Sequence, residues 1–220
     1  MSARRGTGPA EEALDVNRFW FGPAPLTLQT INDRQKLWFG VCATPQQQAA
    51  VDDVIRRRFG AQMQRAAAGE LGAWAASPRR CLALVLLLDQ FPRSAFRGTP
   101  RAFATDERAL ALALSAVQAA ADAVLSPIER VFLCMPLQHA ERLDAQEESL
   151  AAYRRLLQEA PGQFRPFLAG VQTLAERRHS IVARFGRFPD RNRILGREST
   201  LEEIGFLAAS AADSGSGSGS

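Results

Sequence analysis

Lysine is nearly missing from this chain of 220 residues: among 27 basic side chains only Lys36 is lysine, and the rest are arginine. Surfaces built for nucleic acid usually mix both, since an ammonium is also a good phosphate counter-charge. Net charge is low as well, at +4. Acidic and basic residues interleave, as where Asp52-Asp53 stand just ahead of Arg56-Arg57-Arg58. No basic stripe results, which argues against a nucleic-acid partner. A GC-rich genome gives the same arginine bias, so the bias alone assigns no function.

Long apolar runs are absent too. The longest, Cys81 to Leu88, has the length of a core helix, far from the roughly 18–20 residues of a membrane span. No basic start leads into an apolar segment, so no secretory signal is expected. Cysteine is scarce: Cys42, Cys81 and Cys134 are odd in number, widely spaced and flanked by apolar residues. That pattern suits buried free thiols in a reducing compartment, the cytoplasm, rather than a disulfide framework or a metal knot. There is no alternating Val/Ile/Thr run and no Asn-Gly or Asp-Gly hairpin turn, which excludes most strands. A phosphate-binding glycine loop, HExxH, CxxC and a nucleophile elbow are all missing, so no cofactor and no metal are expected.

What is present is helix grammar. Thr44-Pro45-Gln46-Gln47, Ser126-Pro127-Ile128-Glu129 and Thr200-Leu201-Glu202-Glu203 each combine a capping residue with Glu or Gln three positions on, and Ser77-Pro78 is a partial version. Val51, Val54, Ile55, Phe59 and Met63 keep the three-four spacing of one buried face, as do Leu150, Tyr153, Leu156 and Leu157. The patterns predict an all-α domain of about eight helices, near 10–21, 45–68, 78–90, 106–121, 127–134, 137–159, 163–184 and 200–209. Short connections predict antiparallel neighbours. The apolar run from Cys81 marks a central helix. Residues 1–9 read as a loose arm, 10–209 as one helical domain, and the Ser/Gly stretch within 210–220 as a flexible linker foreign to the fold. No clean 34-residue period is visible.

Three segments hold residues that helix packing does not require. In 88–106, Asp89 and Gln90 directly follow the apolar helix, Phe91-Pro92 is expected to stop it, and Arg93, Arg97 and Gly98-Thr99-Pro100 come next. In 135–146, His139 and Gln146 are seven apart, which predicts one helix face two turns apart. Glu141 points elsewhere, and the spacing does not suit a helical metal pair. In 178–192, Arg184, Arg187 and Arg191 alternate with Phe185 and Phe188 around Gly186 and Pro189, and Asn192 follows. Guanidinium forks grip carboxylate or phosphate in pairs, and apolar rings strengthen such contacts. Two readings stay open: a polar network fastening helix ends, with Asp190 as a partner, or an anion site. The only histidines, His139 and His179, fall in two of these segments, an indication that the segments meet.

Together, LLLDQFPR, FRGTPRAFATD, ERVFLCMPLQHAE and RFGRFPDRN, with FWFG at 19–22 and LWFG at 37–40, resemble the bacterial domain-of-unknown-function family 924 over about residues 15–207. The resemblance implies an all-helical fold akin to tetratricopeptide repeats and brings no settled activity. It places family motif positions at Trp20, Phe21, Asp89, Gln90, Phe91, Arg93, Arg97, Gly98, Thr99, His139, Glu141, Gln146, Arg184, Gly186, Arg187, Arg191 and Asn192. This chain departs at Ala140 and Asp190, where the family has Ser and His, and Arg178-His179-Ser180 is shifted against the family order.

The functional expectation is a site for a small anionic molecule where the three segments converge. Arg93, Arg97, Arg184, Arg187 and Arg191 would hold the anion, while Asp89, Gln90, Glu141, Gln146 and Asn192 orient it. His139 and Glu141 are the best candidates for acid–base work. The alternative is a tetratricopeptide-like module that takes an acidic peptide.

Overall fold

The computed structural model describes residues 8–39 and 44–216. The expectations for Cys42, for residues 1–7 of the arm and for 217–220 of the tail lie outside that range. The described chain is all-α, with no strand.

The first half runs through α1 (Pro9–Phe21), α2 (Leu28–Phe39), α3 (Pro45–Ala68), α4 (Pro78–Leu88), the short α5 (Gln90–Ala95) and α6 (Asp106–Gln118). The second half contains α7 (Pro127–His139), α8 (Leu143–Glu159), α9 (Arg165–Phe185), the single turn α10 (Asn192–Leu195) and α11 (Leu201–Ser216). Caps written in the sequence start several of these. Thr44 accepts from the Gln47 amide at 3.2 Å. Ser126 with Glu129 and Thr200 with Glu203 each form reciprocal capping boxes. Ser77 makes no side-chain cap bond.

α4 is the central helix: every residue from Cys81 to Leu88 is buried, and α1, α3, α6 and α7 pack around it. FWFG and LWFG feed an aromatic cluster beside it. Trp20 lies 5.5 Å from Phe91 and 5.6 Å from Phe132 between ring centres, and Trp38 is 4.9 Å from Phe132. Tilted and edge-on aromatic pairs of this kind contribute beyond the area they bury. Cys81 and Cys134 are buried thiols outside any disulfide. Among the described residues no helix is long and apolar enough to cross a membrane.

Helical segments outnumber the eight read from sequence because α2, α5 and α10 carry no strong periodic signal of their own. Two boundaries also move. The break after α4 comes at Asp89 (φ −118°, ψ −63°), not at Phe91-Pro92, and helix resumes at once in α5. Pro92 sits in the first turn of α5, where its missing N–H has no intrahelical partner to lose. Pro136, by contrast, lies inside α7 without ending it. Every position from Val131 to Gln138 is buried, and that packing outweighs the lost hydrogen bond. The break falls at 140–142 instead, so His139 ends α7 while Gln146 belongs to α8, and the two do not share a helix face.

Gln146 closes this joint. Fully buried, its amide donates to the Gln138 carbonyl at 2.8 Å and the Ala140 carbonyl at 2.7 Å, satisfying acceptors that a helix end leaves orphaned. Gln146→Leu strands the Ala140 carbonyl, while the Gln138 carbonyl keeps its bond from the Arg178 guanidinium, so denaturant unfolding should show a loss of about 2 kcal/mol. An unchanged midpoint would mean that the amide does not hold the α7–α8 joint.

Candidate functional site

The ends of α4 and α7 meet at one pair. Asp89 is wholly buried, and both its carboxylate oxygens face His139 Nδ1, at 2.8 and 3.0 Å. Gln90 Nε2 donates to Asp89 at 2.5 Å, and Arg93 approaches to 3.4 Å. Burial alone would push the Asp89 carboxyl up, but Arg93, His139 and the Gln90 amide together hold it well below the usual carboxylate range. Asp89 is therefore an ionised acceptor, and the proton between the pair belongs to His139 Nδ1. Burial pushes the imidazole the other way, aided by Arg93 and Arg178 and opposed by Asp89, down to about 3. The ring is thus neutral, with its lone pair at Nε2, for which no partner exists among the described residues.

Arginines surround the pair. Arg93 grips Asp106 with two bonds, 2.8 and 2.9 Å. Burial raises Asp106 more than these bonds lower it, and Asp89 adds to the rise. Arg191 donates to the His139 carbonyl at 2.9 Å. Its guanidinium lies between Phe103 and Phe188, 4.6 and 4.7 Å from the ring centres. Arg178 donates to the Gln138 carbonyl at 2.9 Å and stacks over Phe188.

Two clefts flank this cluster, and His139 lines both. One, of about 190 Å³, is walled by Trp20, Trp38 and Phe39 and edged by Gln90, Arg93, Arg97 and Gln138. The other, of about 260 Å³, is lined by Phe103, Asp106, Glu141 and Arg191. A wider groove of about 910 Å³ lies elsewhere, between α1, the 22–26 loop and the starts of α4 and α7. Of the candidate ligand-binding residues read from the sequence it contains none, whereas the smaller clefts gather several of them.

Asp89, Gln90, Arg93, His139 and Arg191 are brought together, with Arg97 at the cleft edge, where it binds Asp52 through two bonds of 2.6 and 2.9 Å. Other sequence candidates are engaged elsewhere, and Glu141, though it lines the second cleft, is already paired. Arg187 pairs with Glu203 at 2.7 and 2.9 Å, Arg184 with Glu202 at 2.8 Å, and Asn192 bonds Ser199 and Glu203. These bonds tie α11 to the turn after α9. Glu141 holds Arg197 at 2.6 and 2.9 Å and accepts from the Phe188 amide. Burial would raise its carboxyl, but these partners keep it low. Gln146 stays in the helix joint.

Sequence reasoning missed Arg178, Gln138, Asp106 and Trp38 as parts of this place. Arg178 had a readable signal: it stands three after Ala175 and four before Val182, on the buried face of α9, where arginine is out of place.

The imidazole has a stability signature. Its folded value of about 3 lies below the 6.5 of the free side chain, so between those limits the unfolded chain binds more protons. Stability rises with pH there and is lost as pH falls from about 6.5 toward 3. His139→Gln should flatten the slope of unfolding free energy between about pH 4 and 6.5. Equal slopes in the two proteins would rule out the neutral buried ring.

Comparisons place this geometry among proteins without an assigned reaction. A solved structure of a protein of unknown function from Agrobacterium tumefaciens superposes with a TM-score of 0.74 at 36% identity, covering 91% of this chain and 98% of that one. No curated protein matches. The family profile described as "Bacterial protein of unknown function (DUF924)" matches residues 16–211. The chain belongs to that family.

Proposed function

We propose that the protein binds a small anionic molecule, a carboxylate or a phosphate, in the cleft bounded by Arg93, Arg97, Gln138 and His139. One observation carries this: around the end of α7 the guanidinium groups outnumber the carboxylates that pair with them. Arg93 and Arg191 share Asp106. Arg178, half-buried, makes no ion pair among the described residues, and burial, with Arg191 and Arg93, lowers it to about 10 against the opposing pull of Asp190 and Asp89. A shielded cation whose counter-charges lie beyond ion-pair distance is costly, and an anion supplies a nearer one. Arg178 lies one turn beyond Leu174, which lines the cleft, and is bonded to the carbonyl of Gln138.

Binding and orientation fit the site better than proton transfer. An imidazole at about 3 is far from the near-neutral value that suits a general base, and Glu141 is engaged by Arg197. Asp89, Gln90 and Arg191 act by holding His139 and Arg93 in place. A second reading, a tetratricopeptide-like module for an acidic peptide, has the wide groove in its favour, where Arg18, Arg34 and Arg79 face a single carboxylate, Glu129.

Arg178→Met separates the anion site from a merely structural cluster. Relief of the uncompensated charge should leave the apo protein within about 1 kcal/mol of wild type. Inorganic phosphate or propionate at a hundred times the dissociation constant should stabilise wild type by about 2.7 kcal/mol and the variant by much less. No stabilisation of wild type by any small anion in thermal unfolding would refute the site.

A further inference from the structure

The hydrogen-bond inventory of the cleft selects among anions. Asp89 is enclosed by donors: Gln90 Nε2 at 2.5 Å, Arg93 at 3.4 Å and His139 Nδ1 at 2.8 Å. An ionised carboxylate offers only acceptor sites, so the ring nitrogen facing it carries the hydrogen. The other nitrogen, Nε2, is left with a lone pair and no partner among the described residues, and Gln138 Oε1, buried and likewise unpartnered, is a second acceptor at the cleft. The remaining charged groups at the cleft edge, Arg93 and Arg97, donate only. Trp20, Trp38 and Phe39 add an aromatic wall, in which the Trp20 indole N–H is buried without a partner among the described residues.

We propose that the ligand is a hydroxy acid with an apolar body: its carboxylate meets the arginines, a hydroxyl beside it donates to His139 Nε2, and its side group lies against the indoles. The inference rests on the anion site above and names its ligand class. A plain carboxylate leaves Nε2 without a donor once water is displaced, which costs affinity. An amino acid offers a donor, but its ammonium enters a region where Arg93, Arg178 and Arg191 already repel one another, a repulsion that adds to burial in lowering Arg178. A neutral hydroxyl supplies the donor without the charge. Asp89 is a positioning residue here, since it acts on the ligand only by fixing which nitrogen of His139 keeps the proton.

Three acids with one skeleton test this: 3-phenyllactate, 3-phenylpropionate and phenylalanine, titrated calorimetrically near pH 7.5 with inorganic phosphate as a control. The hydroxy acid should bind about tenfold more tightly than the propionate, the worth of one good neutral hydrogen bond, and phenylalanine should be weakest. In Asp89→Asn the amide can donate to Nδ1, the proton moves to Nε2, and the preference for the hydroxyl should shrink to within about threefold. Equal affinities of wild type for phenyllactate and phenylpropionate, or tightest binding of phenylalanine, would overturn the inference whether or not the variant folds. Phosphate binding without discrimination among the acids sinks the hydroxyl inference alone, whereas no response to phosphate or to any acid removes the anion site as well.

Discussion

A carboxylate at the end of the central, buried helix is the constraint around which this end of the molecule is arranged. Asp89 follows eight buried residues and is itself sealed from water. An isolated ionised carboxylate there would be untenable, so it must be surrounded by donors. Gln90 and Arg93 come from the next turn of chain, and His139 arrives from α7 across fifty positions. Each donor then has needs of its own. Arg93 requires Asp106 to balance it, Asp106 draws in Arg191, and Arg191 reaches the His139 carbonyl between two phenyl rings. One buried charge thus propagates into a network joining α4, α5, α6, α7 and the turn after α9.

That propagation explains what the sequence disclosed and what it hid. Caps are decided within four residues, so Ser126–Glu129 and Thr200–Glu203 are legible directly, and the buried run from Cys81 is plain from composition. α2 has few apolar residues in its buried positions, only Ile31 and Trp38, too few for a periodic signal. The seven-residue interval from His139 to Gln146 implied a shared face only if one helix spanned it. The chain turns at 140–142, where Ala140 takes an extended conformation (φ −70°, ψ 139°), and no local rule marks that place. Convergence of the segments was suggested by an excess of polar residues, yet their pairing depends on contacts such as Asp89–His139, fifty residues apart. Spacing along the chain carries no information about these.

The arginine- and phenylalanine-rich stretch 183–192 shows how one motif divides between two tasks. Gly186 adopts φ +68°, the left-handed conformation that reverses the chain with little strain for glycine alone. The residues around that reversal divide between two directions. Arg184 and Arg187 turn toward α11, where Glu202 and Glu203 meet them, and Arg187 holds Glu203 down to about 2. Arg191 and Phe188 turn inward to the His139 cluster. From the sequence the three arginines looked like one wall. In the fold, two are clasps for the last helix and one belongs to the interior.

The inward group then sets the character of the cleft. Arginine crowding and burial depress His139, and a depressed imidazole beside an ionised Asp89 can neither donate at Nε2 nor readily take a proton. A site that kept a near-neutral base would need fewer guanidinium groups close by, or greater access to water. The arrangement here exchanges basicity for a fixed pattern of arginine donors with His139 Nε2 and Gln138 Oε1 as acceptors. Fixed patterns of that kind discriminate between ligands through what is left unpaired when the wrong one enters. The buried carboxylate thus does more than stabilise a helix junction, because by assigning the imidazole proton it determines the hydrogen-bonding sense that the cleft presents.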